Sequence, residues 1–131
     1  MARFLDPLDV EEIDDLNFRI IGHPFRYASD IFGGIISVPV GFETDFASTW
    51  SHKYAKKAGV VHDWLYYSAL TSRNIADLIL REAMETDGEW TITAWAYWIG
   101  VRVGGWVAWN GHRKAGHSWH DFAVPPVQDS P

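Results

Sequence analysis

The sequence contains no cysteine, and this absence excludes several classes of site. A chain without thiols forms no disulfide, iron–sulfur cluster or thiolate zinc site, and it carries no information about redox compartment. Positive charge is also scarce, because 11 Lys and Arg stand against 17 Asp and Glu for a formal net charge of −6. Nucleic-acid affinity depends on neutralising phosphates, so we predict no nucleic-acid partner.

Residues 1–16 lack the apolar core of a signal peptide, which predicts action inside a cell or in a particle assembled there. A membrane span is not predicted either. Residues 90–109 contain a single charge, Arg102, but a charge there would cost about 2.5–3.5 kcal/mol at the centre of a bilayer. The Gly104-Gly105 pair would further weaken such a helix. We therefore predict that residues 90–109 form the buried central helix of the domain.

The length of 131 residues fits one domain with two flanking segments. Six of the eleven residues from Asp6 to Leu16 are carboxylates, which predicts that residues 1–16 form an acidic, solvated arm or short helix that a partner could order. Residues 17–110 are predicted as the folded domain. Residues 111–131 contain three histidines, a composition that can bind zinc or nickel, but their glycines and prolines predict a flexible tail without a preorganised site.

The domain itself is predicted to be α+β, with a small N-terminal antiparallel β-meander packed on a three-helix core. Apolar and β-branched runs near 18–21, 25–27 and 35–40 are separated by turn-forming residues. Residues 73–85 carry an apolar stripe with helical spacing, and Ser72 is a candidate N-cap.

The run from Gly59 to Tyr67 places two polar residues, His62 and Asp63, among apolar and aromatic ones. On a helix with about 100° per residue, His62 and Tyr66 share one face and Asp63 points about a quarter-turn away. Two interpretations follow. His62 is a general base and Asp63 a metal ligand or second base, or the pair is a hydrogen-bonded polar plug in the core.

Two further carboxylates are candidate members of this site. Asp45 lies in the loop from Gly41 to Ser48, where it either caps the next helix or approaches Asp63 as a ligand for a hard cation such as calcium. Asp77 lies four residues from both Arg73 and Arg81. It therefore either belongs to an exposed ion-pair ladder or turns inward to hold an imidazole.

An ordered set of motifs is similar to the phage and prophage proteins grouped as domain of unknown function 1353. The motifs are Val38 to Ser48, His62 to Tyr66, Ala76-Asp77 with Met84, and Tyr97 with Val101-Arg102 and Gly104. The resemblance covers roughly residues 18–109 and implies a tailed-phage or prophage origin. For a protein of that origin we expect other phage structural proteins as partners, and a location in the phage tail or, before assembly, in the host cytoplasm.

The pattern His-Asp-x-x-Tyr on one helix, with an aspartate on the next, is more distantly similar to phospholipase A2 enzymes. This resemblance implies that His62 is the base, Asp63 the calcium ligand, and Asp77 the carboxylate that orients the imidazole. Tyr66 would support Asp77. The enzymes usually have a disulfide beside this pair and a glycine-rich calcium loop, whereas this chain has no cysteine and one glycine between 41 and 48.

Two hypotheses of different class therefore stand. The first is a virion component docked in the tail, tip or baseplate of a phage, with partners among its structural proteins. The second is a calcium-dependent hydrolase of membrane-lipid esters that helps the phage cross or disrupt the envelope. The eight tryptophans suit either a protein interface or a lipid one. A zinc peptidase is less well supported, because no set of three ligands has a recognisable spacing.

Overall fold

Two small antiparallel sheets form the N-terminal part of the fold. The computed structural model describes residues 1–15, 17–45, 55–122 and 127–128. The strands are β1 Arg3–Phe4, β2 Val10–Glu12, β3 Phe18–Ile20, β4 Phe25–Ser29, β5 Gly34–Val38, β6 Glu43–Thr44 and β7 Val127–Gln128. One sheet has the strand order β1-β4-β5-β7, and the other has the order β2-β3-β6.

The β4–β5 hairpin supplies most of the apolar surface of the sheets. Side chains of β4 alternate between buried and half-buried positions, so Phe25 and Tyr27 point into the core. Phe25 pairs with Val38 and Tyr27 with Ile36 across the hairpin. The hairpin thus contributes Phe25, Tyr27, Ile36 and Val38 to the hydrophobic core that it shares with the helices.

The N-terminal segment, predicted to be a solvated arm or short helix, contributes strands to both sheets. β1 pairs with β4, and β2 pairs with β3. Its carboxylates find basic partners there, since Arg26 donates to Asp6 at 2.8 and 2.9 Å and Arg19 donates to Glu11 at 2.8 Å. The acidic composition does not reveal these cross-strand pairs, which explains the difference.

Four α-helices follow in the described part of the chain, and the α+β class is confirmed. They are α1 Ala55–Ser68, α2 Arg73–Thr86, α3 Thr91–Gly104 and α4 Trp106–Ala115, followed by a short 3-10 helix, Trp119–Asp121. Ten of the fourteen residues of α1 are buried, so this helix lies at the centre of the core. Ser72 caps α2 as predicted, accepting a hydrogen bond from the Ile75 amide.

The prediction of one central, buried helix over residues 90–109 is wrong. The segment is divided at Gly105 into α3 and α4, and Ala94 is the one buried residue of α3, all of which the structure describes. The centre of the domain is already occupied by α1, so α3 packs against α2, and eight of its fourteen residues are exposed. Within the described ranges, no helix combines the length and apolarity needed to cross a membrane.

The segment after α4, predicted to be flexible, folds back onto α1 as far as Phe122. Gly116 adopts the left-handed conformation (φ +77°) that ends α4 and turns the chain. Phe122 then packs edge-on against Trp64, with ring centroids 5.5 Å apart. Aromatic contacts of this kind stabilise a segment whose glycines alone predict mobility.

Candidate functional site

Helix α1 places the predicted dyad and its tyrosine next to one another. His62 and Tyr66 lie one turn apart, and their rings are tilted against each other with centroids 4.2 Å apart. His62 is only 3 % exposed. Its imidazole is therefore accessible only through a cavity in the protein.

Asp77 turns inward from α2 and contacts both side chains. Its side chain is fully buried, and Oδ1 accepts hydrogen bonds from His62 Nε2 at 2.8 Å and from the Tyr66 hydroxyl at 2.6 Å. Because an ionised carboxylate only accepts, the proton of this bond lies on Nε2. Burial alone would raise the pKa of Asp77, but hydrogen bonds from His62, Tyr66 and Arg102 hold it below its usual value.

Two arginines complete the network, and sequence reasoning gave neither a role in it. Arg102 of α3 donates to Asp77 Oδ2 at 2.8 Å. Arg73 lies 3.9 Å from the same oxygen and donates to the Tyr66 hydroxyl at 3.2 Å. Arg81, the other arginine four residues from Asp77, instead pairs with Glu85. The signal that could have identified Arg102 is its position as the lone charge in an apolar run, since buried charges require partners.

A close approach at the junction of α3 and α4 holds Tyr66 in place. A Cβ atom at Gly105 would lie 2.5 Å from the Tyr66 hydroxyl and 2.5 Å from the Val101 carbonyl oxygen. Arg73 also bonds to the Val101 carbonyl, at 2.6 Å. The junction between the helices is thus packed directly against the His–Asp–Tyr network.

The two predicted metal ligands, Asp63 and Asp45, also lie together. Thr44 of β6 donates to Asp63 Oδ2 at 2.5 Å, which brings the following residue, Asp45, next to Asp63. Burial, together with the neighbouring Asp45 carboxylate, raises the pKa of Asp63 to about 7. Ser48 of the same loop lies outside the described residues.

An open cleft of about 340 Å³ connects these two groups. One side is formed by Asp45 and by His62, Asp63 and Tyr66 of α1, and the other by small residues of α3 and α4 and their junction. The small residues are Gly100, Val101, Gly104, Gly105 and Ala108. Among the residues that the structure describes, no group of three or more His, Asp or Glu side chains is arranged to hold a metal ion.

The histidines of the C-terminal segment form a separate cluster beside α1. The Nδ1 atoms of His112 and His117 are 2.8 Å apart, and the His117 ring stacks on Tyr67 with centroids separated by 4.3 Å. Burial and nearby positive groups lower the pKa of His112. His112 lines a second cleft, of about 250 Å³, that shares Asp45 and Asp63 with the first.

The fold and site define an α+β domain in which two consecutive helices hold a buried His–Asp–Tyr network at the wall of a cleft. The chain belongs to the family described as Protein of unknown function (DUF1353), whose model matches residues 20–101. No curated protein and no solved structure matches the chain. The matched region contains Asp45, His62, Asp63 and Asp77 and ends immediately before Arg102.

Proposed function

We propose that this protein is a hydrolase of carboxylic esters, with His62 as the general base and Asp63 and Asp45 as ligands of a divalent cation. The observation that carries the proposal is that one cleft is lined by the imidazole and by both carboxylates. The substrate class we propose is a membrane-lipid ester, and the cation is calcium.

The bond to Asp77 determines which nitrogen of His62 carries the proton. Since Nε2 donates to Asp77, we assign Nδ1 as the nitrogen that acts as the base. A buried carboxylate behind the ring fixes this tautomer and stabilises the imidazolium that forms when the base takes a proton. Tyr66 and Arg102 keep that carboxylate ionised and in place. His62 is therefore the base, and Asp77 is its positioning residue.

The chemistry of Asp63 and Asp45 fits a hard cation. Two carboxylates held close together repel each other, and the raised pKa of Asp63 reflects burial first and this repulsion second. Calcium takes six to eight oxygen ligands, many of them from backbone and water, so two carboxylates would form only part of its shell. When bound, calcium supplies polarisation of an ester carbonyl and stabilisation of the oxyanion.

The test is release of fatty acid from phospholipid vesicles, with calcium and with a chelator. His62→Gln is compared with the wild-type protein and with His23→Gln, a control histidine that pairs with Asp9 at the surface. We expect calcium-dependent turnover by the wild type and the control, and a loss of at least about 100-fold in His62→Gln.

Thermal melts of all three proteins distinguish chemistry from folding. Turnover that His62→Gln retains at the wild-type rate would refute the assignment of the base. An inactive wild type, together with a His62→Gln variant that melts many degrees lower, would refute the hydrolase and identify the network as a polar core element.

A second candidate function, a structural component of a tailed-phage particle, is supported by a different observation. Helices α3 and α4 expose large apolar side chains, among them Ile92, Val103 and Trp106, as expected for a surface covered by another subunit. Mass spectrometry of purified particles tests this role. The chain should be present in stoichiometric amount with known tail subunits, and its absence from intact particles would exclude it.

A further inference from the structure

Helices α3 and α4 carry an apolar face that the rest of the described chain leaves uncovered. Its six members are 39–85 % exposed. We call this surface the α3–α4 face, and it consists of Ile92, Trp95, Ile99, Val103, Trp106 and Val107.

The size of the α3–α4 face exceeds what a monomer commonly exposes. At about 150–250 Å² for a large side chain, these exposed fractions amount to roughly 700 Å². The largest apolar patch of a typical monomer is about 300–600 Å², and a stable interface buries about 800 Å² on each partner. The α3–α4 face is therefore large enough to form the core of a stable interface.

We propose that the α3–α4 face binds a second copy of this chain. Four of its members, Ile92, Trp95, Ile99 and Val103, follow one another at intervals of three and four residues within α3. This spacing forms a stripe along one side of α3, which Trp106 and Val107 extend onto α4 and which can pack against an equivalent stripe. A two-fold axis across the face would place identical stripes together, as in most homodimers.

The charges around the face favour a protein partner over an anionic lipid surface. Membrane-surface helices usually have free Lys and Arg beside the apolar residues. Here Arg102 is bound to Asp77, and Arg113 donates to the Tyr66 and Tyr67 carbonyls at the end of α1, which leaves Lys114 as the remaining Lys or Arg of the two helices. The face itself has no acidic or basic member, so a second copy brings no like charges into contact.

The proposed dimer is independent of the hydrolase proposal, although the two surfaces are adjacent. Ile99 and Val103 immediately precede Gly100 and Gly104, which line the cleft. The interface would therefore border the mouth of the cleft without including His62 or Asp63. A failure of one proposal leaves the other untouched.

The experiment is sedimentation velocity of the full chain from low to high micromolar concentration. Val103→Glu places a charge at the centre of the face, where the wild-type side chain is 72 % exposed and contributes little to the core. The control is Val40→Glu, because Val40 is 46 % exposed and lies outside the face. Circular dichroism establishes that both variants are folded.

We expect a wild-type dimer whose dissociation constant rises at least about 100-fold in Val103→Glu and is unchanged in Val40→Glu. A wild type that sediments as a monomer at 100 µM would overturn the proposal. Equal dissociation of both variants would overturn it as well. Binding of the monomer to phosphatidylglycerol vesicles, with blue-shifted tryptophan fluorescence, would instead assign the face to lipid.

Discussion

Adding one methyl group at Gly105 should destabilise the protein, whereas the same change at Gly104 should stabilise it. Both glycines have helical neighbours, and Gly105 itself has helical dihedral angles (φ −70°, ψ −15°), so an alanine there needs no unusual dihedral angles. The surroundings of the two positions differ. A Cβ atom at Gly104 has no heavy atom within 4 Å, but one at Gly105 lies 2.5 Å from both the Tyr66 hydroxyl and the Val101 carbonyl oxygen.

Two opposing contributions determine how much each substitution changes the free energy of unfolding. Replacing glycine by alanine in a helix contributes about 0.5–1 kcal/mol of stability. Overpacking a tight contact costs about 1–3 kcal/mol. Gly104→Ala should therefore gain about 0.5–1 kcal/mol, and Gly105→Ala should lose about 1 kcal/mol net. In a chain of this size the two melting temperatures should differ by roughly 5–10 °C.

Urea unfolding of both variants, followed by tryptophan fluorescence, measures the free energies of unfolding. A third variant, Gly105→Ala with Tyr66→Phe, removes one of the two atoms at 2.5 Å, while the Val101 carbonyl oxygen stays. In the Tyr66→Phe background, Gly105→Ala should therefore lower the free energy of unfolding by less than it does in the wild-type protein. The reasoning is refuted if Gly105→Ala is as stable as Gly104→Ala.

Three further predictions concern the carboxylates. Asp77→Ala leaves buried donors of His62 and Tyr66 without their acceptor, so its free energy of unfolding in urea should fall by about 3–5 kcal/mol; a loss below 1 kcal/mol would contradict the network. The melting temperature of Asp63→Asn, relative to that of the wild type, should rise when the pH is increased from 5 to 8. A carboxyl whose pKa is raised to about 7 stabilises the fold below its unfolded pKa, and this stability is lost as the pH rises through 7, so an equal difference at both pH values would contradict it. If Asp63 and Asp45 bind calcium, the ion should raise the wild-type melting temperature more at pH 8 than at pH 5, because protons compete for Asp63 below pH 7.

The sequence correctly predicted the strands and helices whose burial pattern is visible in their own residues. The alternation around Phe25 and Tyr27 indicates a strand with one buried face, and the structure has that strand. The apolar stripe of residues 73–85, preceded by Ser72, indicates an amphipathic helix with an N-cap, and α2 has both. In each case the side chains that form the pattern also make the contacts, so no distant residue was needed.

The prediction for residues 90–109 failed because a segment that is apolar on all sides does not specify which of its sides is buried. Both α1 and this segment are rich in apolar residues, and only one helix can occupy the centre of the core. α1 does so because its polar residues have partners there, such as Asp77 for His62 and Thr44 for Asp63. Those partners come from other elements, so the sequence of α1 alone could not identify them.

The arginines explain how the carboxylate of Asp77 can be buried in the core. Arg102 approaches Asp77 Oδ2 at 2.8 Å, so the negative charge is balanced on the side opposite His62 and Tyr66. The carboxylate thereby keeps its charge and accepts hydrogen bonds from both His62 Nε2 and the Tyr66 hydroxyl. Under the proposed mechanism, in which His62 is the base, exchange of Arg102 should therefore lower turnover as well as the free energy of unfolding.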